Sequence, residues 1–259
     1  MTTTKTSIAD GVATLTLNRP VEMNSLDAVT ARAIREAVES FGADEAVRVL
    51  VIGGEGRVFS AGGDFNWVLT WPELDAITRH AGADALMGAV QAIYDFPKPS
   101  IARVHSSAVG GGVGLMLACD FAVAASTARF GLTSVRNGLL AGIAIPVLIE
   151  AVGPRMARQL LMHGGTFDSA TALRIGLVDQ VVDADALDAT VATLAQELRL
   201  GAPSVQTLAK KLVTQIDGLP HDSSAADILG EHIANQSVTP DAQEGMSAFL
   251  AKRKPRWAV

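Results

Sequence analysis

Cysteine is almost missing from this chain. With one, Cys119, among 259 residues, no disulfide can close within it, and the usage fits a reducing compartment. Set in the apolar run LMLACD, Cys119 reads as a small core residue, because a reactive thiol needs exposure and a neighbouring positive charge. The five histidines show no ligand spacing, so no metal site is expected. A long apolar run is lacking too. The longest uncharged one, GLLAGIAIPVLI at 138–149, is too short to span a bilayer and is broken by Pro146. The opening MTTTKTSIADG has no apolar signal core. Positive charge is in deficit, 21 Lys and Arg against 27 Asp and Glu for a net −6, which argues against nucleic acid or an anionic membrane as partner. No linker or low-complexity stretch is present. These absences together predict a soluble, cytoplasmic protein.

What is present is apolar and patterned. Hydrophobic residues make up 49% of the chain and charged ones 19%, a globular composition, and the length suits one large domain or a domain with an appendage. VATLTL at 12–17 alternates as a strand, and VRVLVIGG at 47–54 is a β-branched run closed by glycines. Between them Ile34, Ala37, Val38 and Phe41 repeat at helical spacing. PSIARV at 99–104, DFAVAA at 120–125 and GLVDQVV at 176–182 predict three further strands. The class is α/β, a recurring strand–turn–helix grammar. Beyond about residue 183 only helices are expected. Leu187, Val191, Leu194 and Leu198 make one stripe, and Val205, Leu208, Ala209, Leu212, Val213 and Ile216 another. A break at DGLP (217–220) then precedes two helices near 222–236 and 240–252. So much apolar helix face must pack on the core or on a second subunit, which makes a homo-oligomer the expectation. The ending KRKPRW (252–257) is either a solvated helix end or a site for a phosphate-bearing ligand.

Two glycine-rich turns carry the chemistry. FSAGGDF at 59–65 follows the strand at 47–54, and GGG at 110–112 follows the strand at 99–104. Glycine lets a backbone approach a ligand closely and turn its N–H groups outward. The helix beginning after Gly112 directs unpaired N–H groups and its positive dipole end the same way. Together the turns fit an oxyanion hole, a pair of donors aimed at a carbonyl oxygen that becomes an enolate or a tetrahedral adduct. Taken singly, each is also an ordinary turn. They do not fit a phosphate loop, because no Lys-Ser/Thr follows the glycines, and no Gly-x-Ser-x-Gly elbow is present for acyl transfer.

Five stretches in order closely resemble the enoyl-CoA hydratase/isomerase, or crotonase, superfamily: LNRPVEMNSLD (17–27), FSAGGD (59–64), PKPSIARVHSSAVGGGVGLMLACDFAVAASTARFG (97–131), FDSATALRIGLVDQVV (167–182) and EGMSAFLAKRK (244–254). The resemblance covers almost the whole chain. It implies a crotonase-like spiral of ββα turns over 1–198 and a C-terminal helical region over 199–259. That region would mediate a homotrimer or hexamer and contribute CoA contacts. The implied partner is an acyl-CoA thioester, with coenzyme A entering as part of the substrate and no bound cofactor. Gly63 and Gly111 match the oxyanion-hole donors, and the backbone around Ala61, Gly62 and Asp64 matches the path of the adenine and pantetheine. Arg19, Phe249 and Lys252 match CoA contacts, the last two at the nucleotide end and sometimes donated by a neighbouring subunit.

The same resemblance exposes two gaps. Hydratases of the family carry one glutamate on the first turn of the glycine-led helix and another shortly after the FG strand end; here those positions are Gly114 and Ser134. Some relatives place an aspartate slightly further on, where this chain has Ala141, Gly142 and Ile143, and Met23 stands where a basic CoA contact is usual. No catalytic residue is therefore assigned. Ser134, Arg136 and Asn137 occupy the right loop. A serine is a poor base without a partner, an arginine stays cationic, and an asparagine can hold a water or a carbonyl. His80 lies four residues before Asp84, on one helix face, and is a candidate acid–base group. His105 reads as a structural hydrogen-bonder, Asp64 as a helix cap and Asp120 as the start of its strand. Phe65, Trp67, Val68, Leu69 and Trp71 would wall either the core or an acyl chain. Two functions are compatible with this pattern. One is an enzyme working through an enolate-like state, whether hydratase, isomerase or a divergent hydrolase, decarboxylase or lyase; the other is a non-catalytic acyl-CoA binder.

Overall fold

The structure, a computed structural model, describes residues 2–218 and 223–258. Its elements run β1 (Thr4–Ala9), β2 (Val12–Leu17), α1 (Ala28–Ala43), β3 (Val49–Gly54), α2 (Phe65–Val68), α3 (Ala76–Tyr94), β4 (Ser100–Val104), β5 (Ala108–Val109), α4 (Gly111–Leu117), β6 (Phe121–Ala125), β7 (Arg129–Gly131), α5 (Ile145–His163), β8 (Thr166–Asp168), α6 (Ser169–Arg174), β9 (Gln180–Val182), α7 (Leu187–Arg199), α8 (Pro203–Ile216), α9 (Ser223–Ser237) and α10 (Pro240–Leu250). The main sheet has six strands in the order β1-β2-β3-β4-β6-β9. β1 and β2 form an antiparallel hairpin, turned at Asp10 and Gly11, both with positive φ. Every later pairing in this sheet is parallel. β5, β7 and β8 make a second, smaller sheet.

Val49, Leu50, Val51 and Ile52 of β3 are all buried, because a parallel strand is covered on both faces. Leu50 and Ile52 enter the main core, whereas Val49 and Val51 meet Leu187, Val191 and Ala195 of α7. The α7 stripe predicted from the sequence thus packs on the chain's own sheet. α8 differs: none of its residues is buried, and Val213 is exposed. Asp27 opens α1 by accepting from the Thr30 N–H at 2.7 Å, and Ile34, Val38 and Phe41 are buried along one face.

The five strands expected from sequence are present, the last cut down to Gln180–Val182. β1, β5, β7 and β8 are additions. β1 is a polar edge strand with almost every residue exposed, and the other three span two or three residues each, too short for a periodicity to register. Of the DGLP break, Leu219 and Pro220 lie outside the described residues, as does Asp222, the expected start of the next helix. No helix among the described residues is long and apolar enough to cross a membrane, and no cluster of three or more potential metal ligands occurs among them.

Asp120 ends one residue short of β6 and acts as a tie. Its carboxylate accepts from the Ser100 N–H and hydroxyl, both at 2.8 Å, and pairs with Lys210 of α8 at 2.9 Å. Asp120→Ala leaves the fully buried Ser100 with two unpaired donors and should cost about 2–3 kcal/mol. The measurement is the urea midpoint at unchanged m-value. Lys210→Ala, which removes only a partly exposed ion pair, should cost under about 1 kcal/mol.

Candidate functional site

The turn after β3 runs beside the stretch that leads into α1. Leu26 and Gly63 form an isolated parallel bridge, in which the Leu26 N–H donates to the Gly62 carbonyl at 2.7 Å and the Asp64 N–H to the Leu26 carbonyl at 2.9 Å. The Ala61 N–H donates to the Met23 carbonyl at 2.9 Å and the Gly62 N–H to Ser60 Oγ at 3.1 Å. Of the four successive amides from Ala61 to Asp64, Gly63's alone has no acceptor among the described residues. Its direction follows from the planar trans peptide. The Gly62 carbonyl points at Leu26, so the N–H on the same peptide points the opposite way.

The second glycine turn touches the first through backbone atoms. A Cβ on Gly62, where φ is +88°, would lie 2.6 Å from the Val109 carbonyl oxygen and 2.8 Å from the Gly111 nitrogen. Gly111 opens α4 behind Gly110, whose φ is +52°. First-turn N–H groups have no helical acceptor, and Gly111's finds no other among the described residues. No atom lies within 4 Å of the Cβ position of Gly63. Two unpaired amides beside open space can hold an oxygen that gains negative charge.

Ser134 is the candidate side chain that the fold brings to these turns, its Oγ 3.4 Å from the Cβ position of Gly110. Gly114 is walled in: its Cβ position is 3.2 Å from Ala144 Cα and 3.3 Å from the Ile143 carbonyl, on a helix buried from Gly111 to Met116. The remaining candidates are engaged elsewhere or face water. His80 and Asp84 pair at 3.5 Å on the surface of α3, with side chains 80% and 64% exposed. Arg136 donates to the His163 carbonyl at the end of α5 at 3.3 Å, and Asn137 is exposed. His105 hydrogen-bonds the Gly56 carbonyl at 3.0 Å, the structural role expected, and burial lowers its pKa. In the apolar wall, Trp67 and Trp71 meet edge to face at 5.1 Å and pack on Gly82, while Leu69 faces solvent.

A family model described as enoyl-CoA hydratase/isomerase matches residues 7–259. The chain belongs to the enoyl-CoA hydratase/isomerase family. It is 35% identical over 250 residues to the crotonyl-CoA hydratase of Syntrophomonas wolfei, covering 94% of this chain and 93% of that one. Crystal structures of enoyl-CoA hydratases superpose closely: the one from Shewanella pealeana at TM-score 0.94 with 30% identity, over 98% and 96% of the two chains, and the one from Mycobacterium smegmatis at TM-score 0.91 with 31% identity, over 99% of each. The crotonase fold expected from the motifs is the fold observed.

The residues matched to CoA contacts by the motifs lie in two places. Arg19 is tied inside the protein: its Nη2 donates to Asp64 Oδ2 at 2.9 Å, and its Nη1 donates to the Ser25 carbonyl at 2.9 Å and lies 3.3 Å from Asp27 Oδ2. The tail lies at the end of the sheet where β3 begins. Trp257 Nε1 donates to the Leu200 carbonyl at 3.1 Å, and Arg48 Nη1 donates to the Trp257 carbonyl at 3.3 Å. Phe249, near the end of α10, is 82% exposed. Arg253 grips Glu244 through both oxygens at 2.7 and 2.9 Å and holds that carboxyl down at about 2.

Asp64 caps α2 as expected, accepting from the Asn66 and Trp67 N–H groups at 3.0 and 3.3 Å, and its second oxygen also takes the Ser25 hydroxyl at 3.1 Å. Burial pushes this carboxyl up, but the hydrogen bonds from Arg19, Trp67 and Ser25 outweigh it and hold it below the usual carboxylate range. A depressed folded-state pKa adds stability that is complete above the ordinary carboxylate value of about 4 and vanishes as pH falls through the lower folded value. The stability gap between wild type and Asp64→Asn should therefore be full near pH 6 and close progressively below about pH 4, as read from urea midpoints across that range. Asn24, Ser25, Leu26 and Ser60 also shape this site, through contacts that their sequence pattern does not signal. The positive φ of Met23 and Asn24 that shapes this stretch leaves no trace in hydrophobic pattern; only the Asn, which tolerates that conformation, hints at it.

Proposed function

We propose that this chain binds an acyl-CoA thioester with its carbonyl oxygen on the Gly63 and Gly111 N–H groups and stabilises an enolate-like state there. The observation that carries the proposal is the contact of the two glycine turns, Gly62 against Gly111, with an unpaired amide on each and open space at Gly63. Donors already held by the surrounding backbone need no reorganisation as charge develops, an effect of about 10²–10³ in rate for each donor. Coenzyme A enters as part of the substrate. The name of the Syntrophomonas wolfei relative supports a short unsaturated acyl-CoA as the first substrate to test. A homotrimer or hexamer belongs to the same proposal, supported by the exposed Phe249 and the uncovered α8 face, which a neighbouring subunit would meet.

The second reading, an acyl-CoA binder without catalysis, is favoured by Gly114 and Ser134. Neither position carries a carboxylate, and the Cβ position of Gly114 is crowded by Ala144 Cα at 3.2 Å and the Ile143 carbonyl at 3.3 Å. Titration calorimetry with crotonyl-CoA and a turnover assay across a panel of acyl-CoA thioesters separate the two. The expected result is micromolar binding with turnover of at least one thioester. Binding without turnover across the panel leaves the binder, and no binding of any acyl-CoA overturns both.

A further inference from the structure

We infer that Arg19 is a positioning residue: by bracing Asp64 against the Ser25–Asp27 stretch, it sets the direction of the Gly63 N–H. The inference rests on the acyl-CoA reading above and moves Arg19 from the ligand to the scaffold.

The direction of the Gly63 N–H is decided by one hydrogen bond, from the Leu26 N–H to the Gly62 carbonyl at 2.7 Å, because carbonyl and N–H lie on opposite sides of the same rigid peptide. Whatever places Leu26 against Gly62 therefore aims the donor. Arg19 contacts both neighbours of Leu26, the Ser25 carbonyl at 2.9 Å and the Asp27 carboxylate at 3.3 Å. The same guanidinium reaches across the bridge to Asp64, the residue after Gly63, at 2.9 Å. Both strands of the Leu26–Gly63 bridge are thus held by one planar group with fixed donor geometry. The side chains of Arg19 and Asp64 are only 17% and 9% exposed, so the pair is shielded from the screening that makes surface ion pairs weak.

Asp64 has no capacity left for a ligand. Its two oxygens accept from Arg19, Ser25, Asn66 and Trp67, which occupies the lone-pair sites of a carboxylate. Gly63 itself has no side chain to fix its orientation and no neighbour within 4 Å of its Cβ position. The bracing has to come from outside the turn.

The test compares butyryl-CoA with S-butyl-CoA, a thioether of equal chain length that lacks the carbonyl. In wild type, calorimetry should show the thioester bound more tightly, and carbonyl-carbon-13-labelled butyryl-CoA should show an infrared carbonyl band shifted to lower frequency on binding. Arg19→Gln should cut thioester affinity about tenfold, the worth of one lost hydrogen bond, and return the band toward its free position. S-butyl-CoA affinity should stay within about twofold, since that ligand never used the donor. Equal losses for both ligands with the band unmoved would make Arg19 a CoA contact and overturn the inference; so would a variant identical to wild type on all three readouts. A wild type with no thioester preference and no band shift would instead remove the acyl-CoA reading itself. Should Arg19→Gln fail to fold, Ser25→Ala, which takes one hydroxyl from Asp64 Oδ2, is read in the same way. It should lower the thioester-to-thioether affinity ratio by about threefold, and an unchanged ratio there overturns the inference as well.

Discussion

Replacing Gly62 with alanine should lower the unfolding free energy by about 2–5 kcal/mol and cut acyl-CoA binding more than about tenfold. The backbone at Gly62 has φ +88°, and the new methyl would sit 2.6 Å from the Val109 carbonyl oxygen and 2.8 Å from the Gly111 nitrogen. Holding an L-residue at positive φ costs about 1–2 kcal/mol, and overpacking costs about 1–3 kcal/mol more. The atoms it meets are main chain, so no rotamer change relieves the contact, and the two turns must separate. Gly63→Ala is the matching control. Nothing lies within 4 Å of its Cβ position, so its stability should stay within about 0.5 kcal/mol of wild type, while the methyl enters the space where the thioester would lie. Urea unfolding and calorimetry with butyryl-CoA on both variants give the comparison. A Gly62→Ala protein as stable as wild type would show that the turns do not depend on this contact.

Ser134→Glu should raise crotonyl-CoA hydration by about 10²–10⁴-fold over the wild-type rate, the range supplied by one well-placed acid–base group. Ser134 lies beside Gly110 on a loop whose next four residues are exposed, so a longer side chain has somewhere to go. Gly114→Glu should behave oppositely. The Cβ of any residue there comes within 3.2 Å of Ala144 Cα and 3.3 Å of the Ile143 carbonyl, and the carboxylate would start from a fully buried helix. Overpacking together with an unpaired buried charge should cost about 3–5 kcal/mol. Rates by loss of the enoyl absorbance and urea midpoints decide both halves. A stable, hydrating Gly114→Glu variant would overturn the packing account. A Ser134→Glu protein that binds crotonyl-CoA without faster hydration would place residue 134 out of reach of the acyl group.

Elements with dense periodicity were legible along the chain. The spacing of Ile34, Val38 and Phe41 marks the buried face of α1, and the β-branched run closed by glycines marks β3. β5, β7 and β8 were not, because their two or three residues are held by neighbours rather than by their own pattern. The helical tail was readable as helix, yet where it lies depended on Arg48 meeting Trp257, a contact no local spacing encodes.

The residue types by themselves determined the family, the two glycine turns, and the absence of carboxylates at positions 114 and 134. Those are matters of which side chain is present or missing, and a sequence states them outright. Why those amides are left unpaired, and where Arg19 points, were decided only by the tertiary structure. The Gly63 N–H points away from Leu26 because Leu26 pairs with Gly62, and Arg19 turns to Asp64 because the fold buries both together. Gly114 reads in sequence as a missing glutamate; in three dimensions its Cβ position is also crowded by the backbone of Ile143 and Ala144. A peptide's orientation and a pocket's free volume depend on segments distant in the chain, and they exist only once those segments have met.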